Sequence, residues 1–219
     1  MRAVFFDLDG TLVGLPDDFE AVFESALSDA GVDSGPDYYD RYLDDLFGHL
    51  DDCHPEPYRA AMADLCAEFG LVADFETLAE AYVEREVAAT EPQPGVRGAL
   101  DALDGPDCAL GVLTNGADAA QRRKLAHHDL DSYFDAVVVS GEVGAGKPDP
   151  EIFAAAKAEI SADEYVFVAD DPERDVVPAQ NAGFTGVYLA QGDDPDDADL
   201  ADRPDATVES LDEIPRLFG

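Results

Sequence analysis

From Pro94 onward the chain alternates between helix-like and strand-like segments, and no other feature constrains its fold as strongly. Helical patterns over residues 96–103, 117–127, 150–159 and 174–181 are interleaved with apolar strand patterns over 108–113, 136–139, 165–169 and 186–189. Strands joined through helices need crossover connections, which are right-handed and build a parallel sheet with helices on both faces. One more apolar strand, Val4-Phe5-Phe6, precedes this region, and residues 15–92 between them carry only helical periodicity. Asp17-Asp18 can cap a first helix ending near Gly31, and a second follows Pro36. A third follows Pro55-Glu56-Pro57 and stops at Gly70, and a fourth runs from about Asp74 to Ala89. The expected architecture is a doubly wound parallel α/β sheet from residues 1–14 and 93–219, interrupted by an all-α subdomain over 15–92. Residues 193–204 read as a solvated acidic loop, 206–208 as a short edge strand and 211–217 as a last helix.

Composition bears on the solvent more than on the fold. Fifty acidic residues face 13 Lys and Arg, a formal net charge of −37, and only three of the bases are lysines: Lys124, Lys147 and Lys157. The acids are spread over nearly every expected surface and form no dedicated tail for a basic partner. Self-repulsion at this charge destabilises a compact chain, but in molar salt the Debye length falls to about 3 Å and screens it. The expected source is a salt-in halophile, archaeal in character, and the charge weighs against nucleic-acid or anionic-membrane partners. No apolar run reaches the ~20 residues that span a bilayer, and the strand at residues 4–6 occupies the place a signal peptide needs. A cytoplasmic monomer or homodimer is expected. Cys53, Cys66 and Cys108 form no CxxC pair and read as free thiols.

In open α/β sheets, ligands bind outside the carboxyl ends of the strands, and there the chain concentrates its polar chemistry. Asp7 and Asp9 end the first strand; as residues i and i+2 they point to one side, roughly 6–7 Å apart along the chain. Gly10 then lets the backbone turn. Thr114-Asn115-Gly116 follow the strand at 108–113, and Asp170-Asp171 with Asp175 follow the strand at 165–169. Lys147 lies in the Gly/Pro loop after the strand at 136–139. Neighbouring carboxylates repel unless a cation or a proton holds them. Asp7, Asp9 and Asp170 are hard oxygen ligands suited to Mg²⁺, which takes few carboxylates together with waters and substrate phosphate. The Thr114 hydroxyl and the Lys147 ammonium suit the other oxygens of a phosphoryl group. Asp171 reads as a helix cap rather than a ligand.

With these residues in place, the chain resembles the haloacid dehalogenase-like superfamily of aspartyl-phosphate hydrolases. The resemblance covers the whole chain. It rests on Asp7-Leu8-Asp9-Gly10-Thr11-Leu12, on Leu113-Thr114-Asn115-Gly116, on Gly144 and Lys147-Pro148-Asp149-Pro150 with Phe153, and on Val168-Ala169-Asp170-Asp171 with Asp175. It implies a Rossmann-like core, with the helices of 15–92 forming a cap inserted after the first strand. It implies Asp7 as the nucleophile that forms a phosphoaspartate. Asp9 would serve as acid and then base, with its backbone carbonyl on Mg²⁺. Thr114 and the Asn115 amide would hold phosphoryl oxygens, Lys147 would neutralise charge, Asp170 would be the second metal carboxylate and Asp175 a supporting acid. The implied activity is Mg²⁺-dependent hydrolysis of a small phosphorylated metabolite, with a phosphomutase as the alternative. A 2-haloacid dehalogenase usually lacks the second acid, so Asp9 speaks against it, and the full residue set speaks against a non-catalytic binding relative. Two positions depart from the family pattern: Gly14, where many relatives carry Asp, and Ala169, where Gly is common. In the cap, Arg41, Arg59, His49 and His54 are the polar candidates for substrate contact, and each reads more readily as a surface or inter-helix residue.

Overall fold

A computed structural model describes residues 1–190 and 204–218; all but the last residue of the acidic loop expected over 193–204 lies outside the described residues. The chain opens with β1 (Arg2–Phe6) and passes through the short strand β2 (Val13–Gly14) into α1 (Phe19–Asp29), α2 (Tyr38–Asp51), α3 (Pro57–Phe69) and α4 (Phe75–Ala88). It returns through β3 (Glu91–Pro92) to α5 (Val96–Leu103), β4 (Cys108–Thr114), α6 (Asp118–His127), β5 (Ala136–Val139), the one-turn α7 (Ser140–Val143) and α8 (Pro150–Glu159). Then come β6 (Glu164–Ala169), α9 (Val177–Asn181), β7 (Thr185–Leu189) and β8 (Ala206–Val208). Among the described residues the main sheet has six strands in the order β5-β4-β1-β6-β7-β8, and every pairing in it is parallel.

The sheet is buried on both faces, which is why its strands read as continuous apolar runs. Successive residues of β1 feed opposite layers. Val4 and Phe6 join Ala99 and Leu100 of α5 on one side; Ala3 and Phe5 join Ile152, Phe153 and Ala156 of α8 on the other. The central place of β1, with Phe6 level with Val112 of β4 and Val168 of β6, brings the ends of three strands together.

The four inserted helices pack around their own apolar cluster, centred on Phe23, Tyr42, Met62, Leu65, Leu78 and Tyr82. Asp18 caps α1 through its side chain, as the sequence predicts, and Asp74 does the same for α4. This layer touches the sheet layer chiefly through α4, whose Val83 and Val87 meet Ala117 and Ala120 at the start of α6.

Three local readings change. The region read as strand-free contains β3, which pairs antiparallel with β2, Val13 opposite Pro92 and Gly14 opposite Glu91. Strands of two residues are too short to show a period. The helix expected over 174–181 starts earlier, as a π-type turn at Pro172–Val176 leading into α9. Asp171 causes this by accepting the N–H groups of Glu173 and Arg174. The final helix, Leu211–Leu217, is of 3₁₀ type and contains Pro215.

Candidate active site

The Asp7 N–H donates to the carbonyl of Val168 at 2.9 Å, which extends the β1–β6 pairing by one residue and fixes Asp7 at the carboxyl edge of the sheet. Asp7 is nearly fully buried. Its Oδ1 accepts the Leu8 N–H at 2.8 Å and lies 2.8 Å from Lys147 Nζ. Lys147, also buried, reaches Asp175 Oδ1 at 3.0 Å. Burial alone would lower the Lys147 pKa, but the Asp7 and Asp175 carboxylates outweigh it and hold the ammonium above its ordinary value. The lysine backbone is clamped by Asn115, which donates Nδ2 to the Lys147 carbonyl at 2.9 Å and accepts the Lys147 N–H on Oδ1 at 2.7 Å.

Asp170 leaves β6 beside Asp7 and accepts the Thr11 hydroxyl at 2.9 Å. Gly10 is required here twice over. Its φ is +86°, and a Cβ would fall 2.2 Å from Asp170 Oδ2. Asp7, Asp170 and Asp175 each place a carboxylate oxygen within 4.8 Å of the others. Burial raises the Asp170 pKa, and the Asp7 charge adds to it. Burial pushes Asp175 up to about 7, opposed by Lys147 and reinforced by Asp7. Asp175 Oδ2 is buried and meets no hydrogen-bond donor.

Those features test whether a metal belongs here. One ammonium among three carboxylates leaves an excess of negative charge, every donor is a hard oxygen, and one buried oxygen has no partner. All three fit a hard divalent cation such as Mg²⁺.

The Asp9 side chain belongs to a neighbouring network instead. Lys124 Nζ contacts its Oδ1 at 2.8 Å, and Gln121 Nε2 donates to its Oδ2 at 2.8 Å. Gln121 is also 3.0 Å from the Thr114 hydroxyl, so Thr114 sits beside Asp9. Lys124 is buried and makes a second ion pair, at 2.8 Å, with buried Glu86 of α4. Burial would lower its pKa, yet Asp9 and Glu86 together hold it well above the ordinary value. A single lysine thus links the sheet's second acid to the helical layer.

Of the residues predicted from sequence, Asp7, Lys147, Asp170 and Asp175 converge, and Thr114 and Asp9 lie next to them. The side chain of Asn115 clamps the Lys147 backbone, and Asn115 also lines the cavity above Asp7. Asp171 caps the following turn, as expected. The polar candidates of 15–92 face elsewhere: Arg41 pairs with Asp45, His49 with Asp64, and Arg59 with Glu56 and Glu76, while His54 Nδ1 accepts the Glu56 N–H. None of the four lines the cavity above Asp7.

Gln121, Lys124 and Glu86 are additions that sequence reasoning missed. Their signal is polarity inside an apolar stripe. Ala117, Ala120, Gln121, Lys124 and Leu125 share the buried face at the start and middle of α6, and Glu86 lies among Tyr82, Val83 and Val87 on α4.

Comparison with known proteins bears on the same residues. The haloacid dehalogenase-like hydrolase family profile matches residues 1–183. A phosphoserine phosphatase of Thermus thermophilus is 40% identical over 108 residues, 48% of this chain and 43% of that protein, so the alignment spans less than half of that relative. A glyceraldehyde 3-phosphate phosphatase of Methanopyrus kandleri is 29% identical over 201 residues, 88% of this chain and 85% of that protein. Among solved structures, a 2-haloacid dehalogenase from Pseudomonas syringae superposes with a TM-score of 0.75 at 26% identity, over 99% of this chain and 97% of that one.

Proposed function

The chain belongs to the haloacid dehalogenase-like hydrolases, and from that premise we propose that it is a phosphatase of small phosphorylated metabolites, working through a phosphoaspartate. The observation that carries the reading is the Asp7 carboxylate, held at a strand end against Lys147 and clustered with Asp170 and Asp175. The phosphatase names of two relatives support it. The fold is shared with a 2-haloacid dehalogenase, but Asp9 and the acid cluster favour phosphoryl chemistry.

In the first step an Asp7 carboxylate oxygen attacks phosphorus, the ester P–O bond breaks, and Asp9 gives its proton to the departing alkoxide. In the second, water attacks the phosphoaspartate at phosphorus. Asp9 takes the water's proton, and the acyl–phosphate bond opens to release phosphate and restore Asp7. Lys147 balances charge on the nucleophile and the phosphoryl group, Asn115 positions Lys147, and the Thr114 hydroxyl donates to a phosphoryl oxygen. Asp7 and Asp170, with the Asp9 backbone carbonyl and with Asp175 alongside, would hold Mg²⁺, which would supply the positive charge that lets a phosphate dianion approach carboxylates.

Residues 15–92 act as a cap over a core of residues 1–14 and 93–219, with β2 and β3 at the two crossings. The net charge of −37 suits this enzyme to the cytoplasm of a cell that holds concentrated salt.

The test is hydrolysis of p-nitrophenyl phosphate in about 2–3 M KCl, where repulsion is screened, with and without Mg²⁺. Wild-type turnover should depend on Mg²⁺ and fall at least about a thousandfold in Asp7→Asn, which lacks the nucleophile, with the variant's fold checked by circular dichroism. Turnover that survives Asp7→Asn overturns the reading.

A further inference from the structure

The cavity above Asp7 has two chemically different sides. Its volume is about 500 Å³, a size that holds a small molecule. The floor carries Asp7, Thr114 and Lys147, whereas the helical side contributes a run of large leucine and phenylalanine side chains, Leu43, Phe47 and Leu50 of α2 among them, together with the rings of Tyr39, Tyr58 and Tyr82. In a chain of net charge −37, Leu15 and Phe47 remain 48% and 58% exposed at this cleft. Large apolar side chains left open along a concave surface mark a place where a ligand supplies the missing contact.

The charges point the same way. The helical side of the cavity contributes Asp51 and Glu86 and, among the described residues, no cation. Lys124 is held between Asp9 and Glu86, and Lys147 between Asp7 and Asp175. Arg174, also in the lining, lies 3.7 Å from Asp171 and 3.9 Å from Asp175, with over half its side chain in solvent. A carboxylate or second phosphate turned toward the helical side would face an apolar surface and two acids, where a charge left without a partner is disfavoured.

We infer that the substrate is a phosphomonoester whose alcohol portion is uncharged and turns apolar surface toward the α2 wall. The inference rests on the phosphatase reading and assigns Leu43, Phe47 and Leu50 as residues that set specificity by excluding a second anionic group.

Two matched pairs of esters test it in molar KCl with Mg²⁺: glyceraldehyde 3-phosphate against 3-phosphoglycerate, and phenyl phosphate against 4-carboxyphenyl phosphate. Within each pair a carboxylate is the difference. The neutral member is expected to win by at least about tenfold in kcat/KM. Phe47→Arg, at a position exposed enough to accept the change, is expected to narrow that ratio several-fold by giving the carboxylate a partner. Equal or better turnover of the carboxylated esters overturns the inference and makes Arg174 the anchor. An unchanged ratio in Phe47→Arg overturns the role of the α2 wall. If all four esters resist a folded enzyme, the phosphatase reading itself fails and the inference with it, whereas hydrolysis of all four alike defeats the inference alone.

Discussion

The sheet and the helical layer above it handle charge in opposite ways. At the strand ends Asp7, Asp175 and Lys147 are buried and paired with one another. On α1–α4 the ion pairs Arg41–Asp45, Arg59–Glu56 and Arg85–Asp29 are open to solvent, and the wall that faces the cavity is mainly apolar. Exposed pairs contribute at most about 1 kcal/mol and fade in salt, whereas removing one partner of a buried pair costs about 3–5 kcal/mol. The difference follows from what each region must do. Reacting groups have to be held at one place by rigid strands, and buried charge pairs are screened much less by salt than exposed ones. Recognition of an uncharged group requires only shape.

Lys124 is the place where that division is crossed, so changing it should produce the largest effect. Lys124→Met leaves Glu86 buried without a cation and frees one oxygen of Asp9. Unfolding in molar KCl should show a loss of about 3–5 kcal/mol, and kcat should fall more than KM rises. Adding Glu86→Gln should return part of the stability, because the two residues share one interaction. Chemical denaturation of the single and double variants checks this. A loss under about 1 kcal/mol would place the bridge with the exposed pairs and erase the contrast between the two regions.

The acid cluster gives a smaller, pH-dependent effect. Asp175 has a folded pKa of about 7 against an ordinary 3.8. Between those values the folded protein keeps a proton that the unfolded chain has lost, so metal-free stability falls as pH rises from about 4 to about 7 and levels off above. The net charge of −37 adds a pH dependence of its own, so the comparison that isolates Asp175 is with Asp175→Asn. In EDTA and molar KCl, wild type should lose more of its unfolding midpoint than Asp175→Asn between about pH 5 and about pH 8. Mg²⁺ should restore wild type at the higher pH, since binding to the folded state alone stabilises it. Equal pH slopes in the two proteins would mean that Asp175 is not held protonated by its surroundings.

The same contrast explains how much the sequence discloses. Asp7 and Asp9 stand out because two acids closing an apolar strand have no role in packing, and the alternation after Pro94 yields the parallel sheet directly. Lys124, Gln121 and Glu86 do not stand out until the helical register shows them inside apolar stripes. The clamp by Asn115 depends on the backbone of Lys147, 32 residues away, and no local pattern announces such a contact. The cavity wall is harder still. Leu43 and Phe47 line the cleft, while Tyr42 of the same helix packs the helical cluster, and all three fit the same apolar spacing along α2. Core packing and cleft lining give one signal in a helix, so chemistry is legible in this chain where specificity is not.

The smallest effect belongs to Arg59, the cation of α3 and one of four polar candidates for substrate contact in the inserted helices. It pairs with Glu56 and Glu76 on an exposed surface and lines a different cavity, with Arg123 and Glu80. If recognition is by shape and catalysis by buried charge, Arg59→Ala should leave kcat/KM on both neutral and carboxylated esters within about twofold in molar KCl. A selective fall on the carboxylated esters would break the comparison at its weakest point. It would mean that an exposed charge on the helical layer reaches the substrate through a medium whose Debye length is about 3 Å, which requires direct contact and hence a closed arrangement of the helices over Asp7. Kinetics of the one variant on the two matched pairs therefore separates recognition by an apolar wall from recognition by a moving charge.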